Sequence, residues 1–73
     1  MLGNKKEERL YFNYEGRYAL DELTYFTCGS PIEIFFNGSW LRTRIEHDSK
    51  QYYAVGLKGI CLVGLLARVP ENH

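Results

Sequence analysis

The chain has 73 residues, with nine Lys and Arg balanced by nine Asp and Glu, so no net field draws it onto nucleic acid or an anionic membrane. Hydrophobic residues at 45% and aromatics at 15% exclude wholesale disorder, and the length allows one small domain. No apolar run approaches the ~20 residues of a membrane span, and the charged start is unlike a signal peptide, so a cytoplasmic, membrane-free protein is expected.

Residues 1–8, MLGNKKEE, show no strand alternation and are read as a flexible arm. Arg9 to Leu20 forms two short alternating runs around Glu15-Gly16, which predicts a hairpin. On strict alternation Leu10, Phe12 and Ala19 share one face and Tyr11, Asn13, Tyr18 and Leu20 the other. Asp21 to Thr27 suits a loop with a short extended piece. Cys28-Gly29-Ser30-Pro31 then punctuates the chain. The two cysteines, Cys28 and Cys61, are too few for a secreted disulfide scaffold and are expected to be reduced and partly buried.

The strongest folding signal is PIEIFFNGSWLRTRIE, residues 31–46. Asn37-Gly38 is the pair that best tolerates the positive φ angles of a two-residue type I′ turn, so the flanking runs should pair as a hairpin. That loop length sets Phe36 opposite Ser39, Phe35 opposite Trp40, Ile34 opposite Leu41, Glu33 opposite Arg42 and Ile32 opposite Thr43. Two unlike faces follow. Ile32, Ile34, Leu41, Thr43 and Ile45 make an apolar one, and Glu33, Phe35, Trp40, Arg42, Arg44 and Glu46 mix aromatics with charges.

His47 to Lys50 is a polar link, and Gln51 to Gly56 supplies a third strand to the meander. Leu57 to Gly64 carries two glycines and no period of two, which suits a tight 3₁₀-like crossing. Leu65 to Val69 alternates as a last, half-buried strand, and residues 70–73 form a tail. Five or six short antiparallel strands with no helix predict an all-β domain over residues 9–69. A small SH3-like barrel, with the 3₁₀ turn before its last strand, is the best match.

Catalysis finds little support in the residues. His47 lies in a polar loop and His73 near the end of the chain, neither with a nucleophile or carboxylate held beside it. Cys28 and Cys61 lack the spacing of a zinc site, no phosphate-cradling glycine loop occurs, and nothing calls for a cofactor. The mixed face of the central hairpin is the remaining candidate. Phe35 opposite Trp40 makes an aromatic ledge, with Arg42 and Arg44 at strand spacing beside it. Capping one end of the barrel would use the same two rings equally well. Tyr52 and Tyr53 must point to opposite faces, so one of them can extend the ledge, as can Tyr11 or Tyr25.

The segments GRYAL at 16–20, TCGS at 27–30, IEIFFNGSWLRTRIE at 32–46, YYAVGLKG at 52–59 and GLLARV at 64–69 resemble, in that order, a bacterial domain family of unknown function. Its members are tiny proteins found among the genes of plasmids, phages and integrative elements. The resemblance implies an SH3-like barrel and a mobile-element origin, and transfers no catalytic residue. Ser30 stands where the family pattern has an acidic residue, and Lys58-Gly59 where it has Pro-Gly.

The resulting expectation is a non-enzymatic module that binds a host or element-encoded protein, for example as an inhibitor of a host defence enzyme. Phe35, Trp40, Arg42, Arg44, Tyr52 and Tyr53 are its candidate binding residues. The rival is a nucleic-acid binder that stacks bases on Trp40 and holds phosphates with Arg42 and Arg44. A homodimer closed by the aromatic ledge is a further way to cover the same face.

Overall fold

At the centre of the fold, Asn37 and Gly38 take φ angles of 57° and 87°, both positive as a type I′ turn requires. In the computed structural model, which describes residues 7–70, this turn joins β4 (Pro31–Phe36) to β5 (Ser39–His47). All five predicted pairs are present, and the ladder extends to Pro31 opposite Arg44. The nine-residue β5 then continues past its partner to pair Ile45, Glu46 and His47 with Ala54, Tyr53 and Tyr52 of β6 (Tyr52–Ala54).

The other edge is built from residues far apart in the chain. β7 (Leu66–Arg68) lies against β4, with Arg68 opposite Glu33 and Ala67 opposite Ile34. On its far side sits β1 (Glu8–Arg9), which pairs Glu8 with Ala67. The five-stranded sheet therefore runs β1-β7-β4-β5-β6, entirely antiparallel.

Leu10 is the corner between this sheet and a smaller one. Its N–H donates to the Leu65 carbonyl and its own carbonyl accepts from Gly64, both at 2.9 Å, while its side chain is buried. The chain leaves that corner as β2 (Tyr11–Phe12), which pairs with β3 (Tyr18–Ala19) in a two-stranded sheet. A single bridge between Ala19 and Tyr25 adds a third line of chain to it. Asn13 shapes the tip by accepting from the amides of Glu15 and Arg17 through Oδ1.

The core lies between the two sheets. Ile32, Ile34, Ile45, Ala54 and Ala67 come from the large sheet, Leu10, Tyr18, Leu20 and Phe26 from the N-terminal part, and Leu57 and Leu62 from the connection before β7. Those last two are held by isolated i to i+3 bonds, Leu57 to Ala54, Ile60 to Leu57 and Leu65 to Leu62, so the crossing is a chain of single turns.

The all-β expectation holds, and no helix occurs among the described residues. The expected barrel does not close: two antiparallel sheets of short strands pack around the core, with β1 and β6 left as the edges of the larger one. The predicted hairpin faces also need adjustment. Leu41 is 37% exposed although Ile34 opposite it is fully buried, because Ile34 has Ala67 of β7 on its other side while β6 pairs only with Ile45 to His47 and leaves Leu41 at an open edge. In the first hairpin Phe12 pairs with Tyr18 and their rings stack at 4.3 Å, so the face assigned from strict alternation is wrong there.

Of the expected arm, residues 1–6 lie outside the described residues, and Glu8 is in β1. In the expected tail Pro70 is buried, and 71–73 lie outside the described residues. Both cysteines are free and exposed rather than partly buried.

Candidate functional site

The outer face of β4 and β5 carries every second residue of each strand, and period two puts Glu33, Phe35, Trp40, Arg42, Arg44 and Glu46 there together. Phe35 and Trp40 meet edge to face, with ring centroids 5.3 Å apart and planes at 65°, a favoured aromatic geometry. The guanidinium of Arg68, delivered by β7, lies 3.8 Å over the Trp40 ring. Its Nε donates to Glu33 Oε1 at 2.6 Å, and its Nη1 donates to Glu7 Oε2 at 3.2 Å. The Glu33 hydrogen bond is the largest cause that raises the Arg68 pKa above its ordinary value. Trp40 is consequently half-buried, with one ring face already occupied by a cation of the same chain.

Further along the face, Arg42 and Arg44 are exposed. Arg44 Nε donates to Glu46 Oε2 at 2.7 Å, and the Cys28 thiol donates to the other oxygen of Glu46 at 3.3 Å. Those two bonds, Arg44 first, lower the Glu46 pKa. Glu46 pairs with Tyr53, which places the Tyr53 ring on the same side, and the Lys58 ammonium lies 5.0 Å over that ring. Lys58 also reaches Asp48 Oδ2 at 3.3 Å.

Five of the six predicted residues thus share one face: Phe35, Trp40, Arg42, Arg44 and Tyr53. Tyr52 is turned to the opposite side. It packs against the core and meets the His47 ring edge to face at 4.6 Å. Its hydrogen bond with Arg17 is the largest cause that raises the Arg17 pKa. Tyr11 and Tyr25 belong to the smaller sheet and do not extend the ledge.

Sequence reading missed Arg68 and Lys58. Alternation in β7 marks Arg68 as the residue pointing away from Ala67, yet nothing local says that β7 lies beside β4. Lys58 departs from the resembled family's pattern, and that departure was the available signal.

Chemically, this face offers apolar area at Phe35 and Trp40, an exposed cation at Arg42, and ion pairs at both ends that hold the remaining charges in place. It is suited to docking an apolar anchor with a carboxylate nearby.

The chain belongs to the family described as a domain of unknown function, DUF5348, whose sequence profile matches residues 4–69. Comparison with curated proteins and with solved structures gave no match.

Proposed function

We propose that this member of the DUF5348 family is a non-enzymatic protein-binding module that engages its partner through the outer face of β4, β5 and β6. The observation that carries this reading is the exposed Arg42–Arg44 pair beside the Phe35–Trp40 contact, on the side of the sheet away from the core. Aromatic and arginine side chains are the types enriched where protein interfaces concentrate their binding energy.

The setting we propose is a bacterial mobile element whose product modulates a host protein, in the form of an SH3-like module opened at one side. Support for that setting comes from the resemblance of residues 16–20, 27–30, 32–46, 52–59 and 64–69 to small proteins of plasmids and phages.

The charge arrangement favours protein over nucleic acid as the ligand. Glu33 and Glu7 contact Arg68, and Glu46 contacts Arg44, so carboxylates sit among the cations that would have to hold phosphates. Capture from host lysate with the wild-type chain and an Arg42→Glu/Arg44→Glu variant tests the proposal. One partner should be retained by the wild type and lost by the variant, with both chains showing the same circular dichroism and melting temperature. Equal capture by the two chains overturns it. A single-stranded oligonucleotide titrated at two salt concentrations separates the rival reading, which requires binding that weakens steeply with salt.

A further inference from the structure

We propose that the open edge of β5 pairs with the same edge of a second copy of this chain, joining the two five-stranded sheets across a two-fold axis at Leu41. This contact is separate from docking on the outer face, because it rests on backbone groups of the edge and on a side chain of the inner face.

β5 runs from Ser39 to His47, yet β6 pairs only with Ile45, Glu46 and His47. The two strands part at a defined point. Val55 donates its N–H to the Arg44 carbonyl at 3.0 Å and accepts from Thr43 Oγ1 at 2.7 Å, and Gly56, with φ 88°, then turns the chain away. Ser39 to Arg42 therefore have β4 on one side and no strand on the other. Alternation along the strand decides which backbone groups face the open side. Ile45 donates to the Ser30 carbonyl and accepts from Gly29 on the β4 side, while Arg44 turns its carbonyl the other way, to Val55. Trp40 and Arg42 share the parity of Arg44, so their N–H and C=O groups point out of the sheet, and no strand of the described residues reaches them. An unpaired row of this kind is a template for another strand. Proline and a bulge, two common guards against that, are both missing between Ser39 and Arg42, where the ladder to β4 is regular.

Register selects the occupant. When two such edges pair antiparallel, outward-facing residues must oppose outward-facing residues, and the centres that set strand against strand are Trp40, Leu41 and Arg42. Centring on Arg42 puts two guanidinium groups opposite each other and sets Trp40 against Arg44, whose carbonyl Val55 already occupies. Centring on Trp40 sets Arg42 against Gly38 of the turn. The Leu41 register instead pairs Trp40 with Arg42 of the second copy, and reciprocally, each pair exchanging both of its backbone bonds. It sets a cation beside an indole on the outer face. On the inner face it sets Leu41 against Leu41, covering a side chain that is 37% exposed. The charges of the chain sum to zero, so two copies approach without net repulsion. The edge is thus complementary to itself, as a two-fold contact requires, and that makes a second copy its occupant.

The test is sedimentation of the whole chain across a dilution series reaching about 1 mM, since so small a contact makes a weak dimer. The wild type should pass from dimer to monomer on dilution. Leu41→Lys and Leu41→Glu should each remain monomeric, and their equimolar mixture should recover a dimer, which also shows that both variants fold. A wild type that is monomeric at every concentration overturns the proposal, and so does a mixture that stays monomeric. A Leu41→Lys chain that dimerises as the wild type does places the contact elsewhere, on the aromatic outer face for instance, and overturns it as well. Register is read by crosslinking in a Cys28→Ser/Cys61→Ser chain, since both native thiols are exposed. Leu41→Cys sets two thiols at a non-hydrogen-bonded pair with Cα atoms about 4.5 Å apart, within disulfide range, and should link in a glutathione buffer at least about tenfold faster than Ser39→Cys, which opposes Thr43 of the second copy. Equal rates overturn the Leu41 axis. Failure of the outer face to capture a partner leaves all of these outcomes untouched, so the two readings fail separately.

Discussion

Both sheets pair their rings, Phe35 with Trp40 under the Arg68 guanidinium in the five-stranded one and Phe12 with Tyr18 beside Tyr25 under Arg17 in the smaller one, but Phe12 and Tyr25 are each 49% exposed and Tyr14 99%, against 38% for Phe35. Strand length explains the contrast. β4 and β5 offer six paired positions, enough for one face to build core and the other to organise its own contacts. β2 and β3 offer two, and their burial is concentrated in Tyr18 and Ala19. A chain of this size buries only about 60% of its unfolded surface; the larger sheet supplies five of the eleven clustered core residues, while the smaller one supplies Tyr18 and displays Tyr11, Phe12 and Tyr14. The larger sheet is therefore read as the scaffold and the smaller one as a surface mounted on it.

The largest expected effect breaks the scaffold. Ile34 is fully buried between Leu41 of β5 and Ala67 of β7, so Ile34→Ala removes atoms that both neighbouring strands enclose. A loss of about 2–5 kcal/mol in urea denaturation is expected, as for other large-to-alanine core changes. Against a total of roughly 4–11 kcal/mol for a domain of this length, that leaves it marginal. A loss under about 1 kcal/mol would remove the larger sheet from its place as the scaffold.

This division was only partly legible in the sequence. Asn37-Gly38 fixed a register because a two-residue turn leaves no slack, and each predicted partner from Ile32 to Ser39 is observed. The pairing of Glu8 with Ala67 and of Arg68 with Glu33 joins residues at opposite ends of the chain, and no turn chemistry announces such contacts. Arg68 was therefore invisible as the cover of Trp40, and with it the answer to whether that tryptophan is free. In the first hairpin the faces came out wrong because three residues, Tyr14 to Gly16, separate the paired Asn13 and Arg17, one more than a Glu15-Gly16 turn, and the register slips by one. Tyr53 could be told from Tyr52 only once Glu46 and His47 were seen as their partners.

A smaller effect is expected where the scaffold turns from β5 into β6. Asp48 Oδ1 accepts the amides of Gln51 at 2.9 Å and Lys50 at 3.0 Å, and Oδ2 faces the Lys58 ammonium. These bonds, the Gln51 amide first, hold its carboxyl at about 2 against an ordinary 3.8. A carboxyl whose folded pKa is depressed stabilises the fold fully above its unfolded pKa, and that contribution disappears as pH falls through the folded value. Between about pH 4 and pH 2, then, the melting temperature of the wild type should fall faster than that of Asp48→Asn, which has no such proton to take up. Parallel curves over that interval would show that the turn's carboxylate is not linked to folding.

The smallest expected effect tests the other half of the comparison. Tyr14 is 99% exposed at the tip of the β2–β3 hairpin, where Asn13, not Tyr14, makes the bonds that close the turn. With no enclosed surface to lose, Tyr14→Ala should change stability by no more than about 0.5 kcal/mol, the usual range for surface sites away from special contacts. A melt lowered by more than about 1 kcal/mol would mean that Tyr14 is covered in the folded protein, and the smaller sheet would then belong to the scaffold as well.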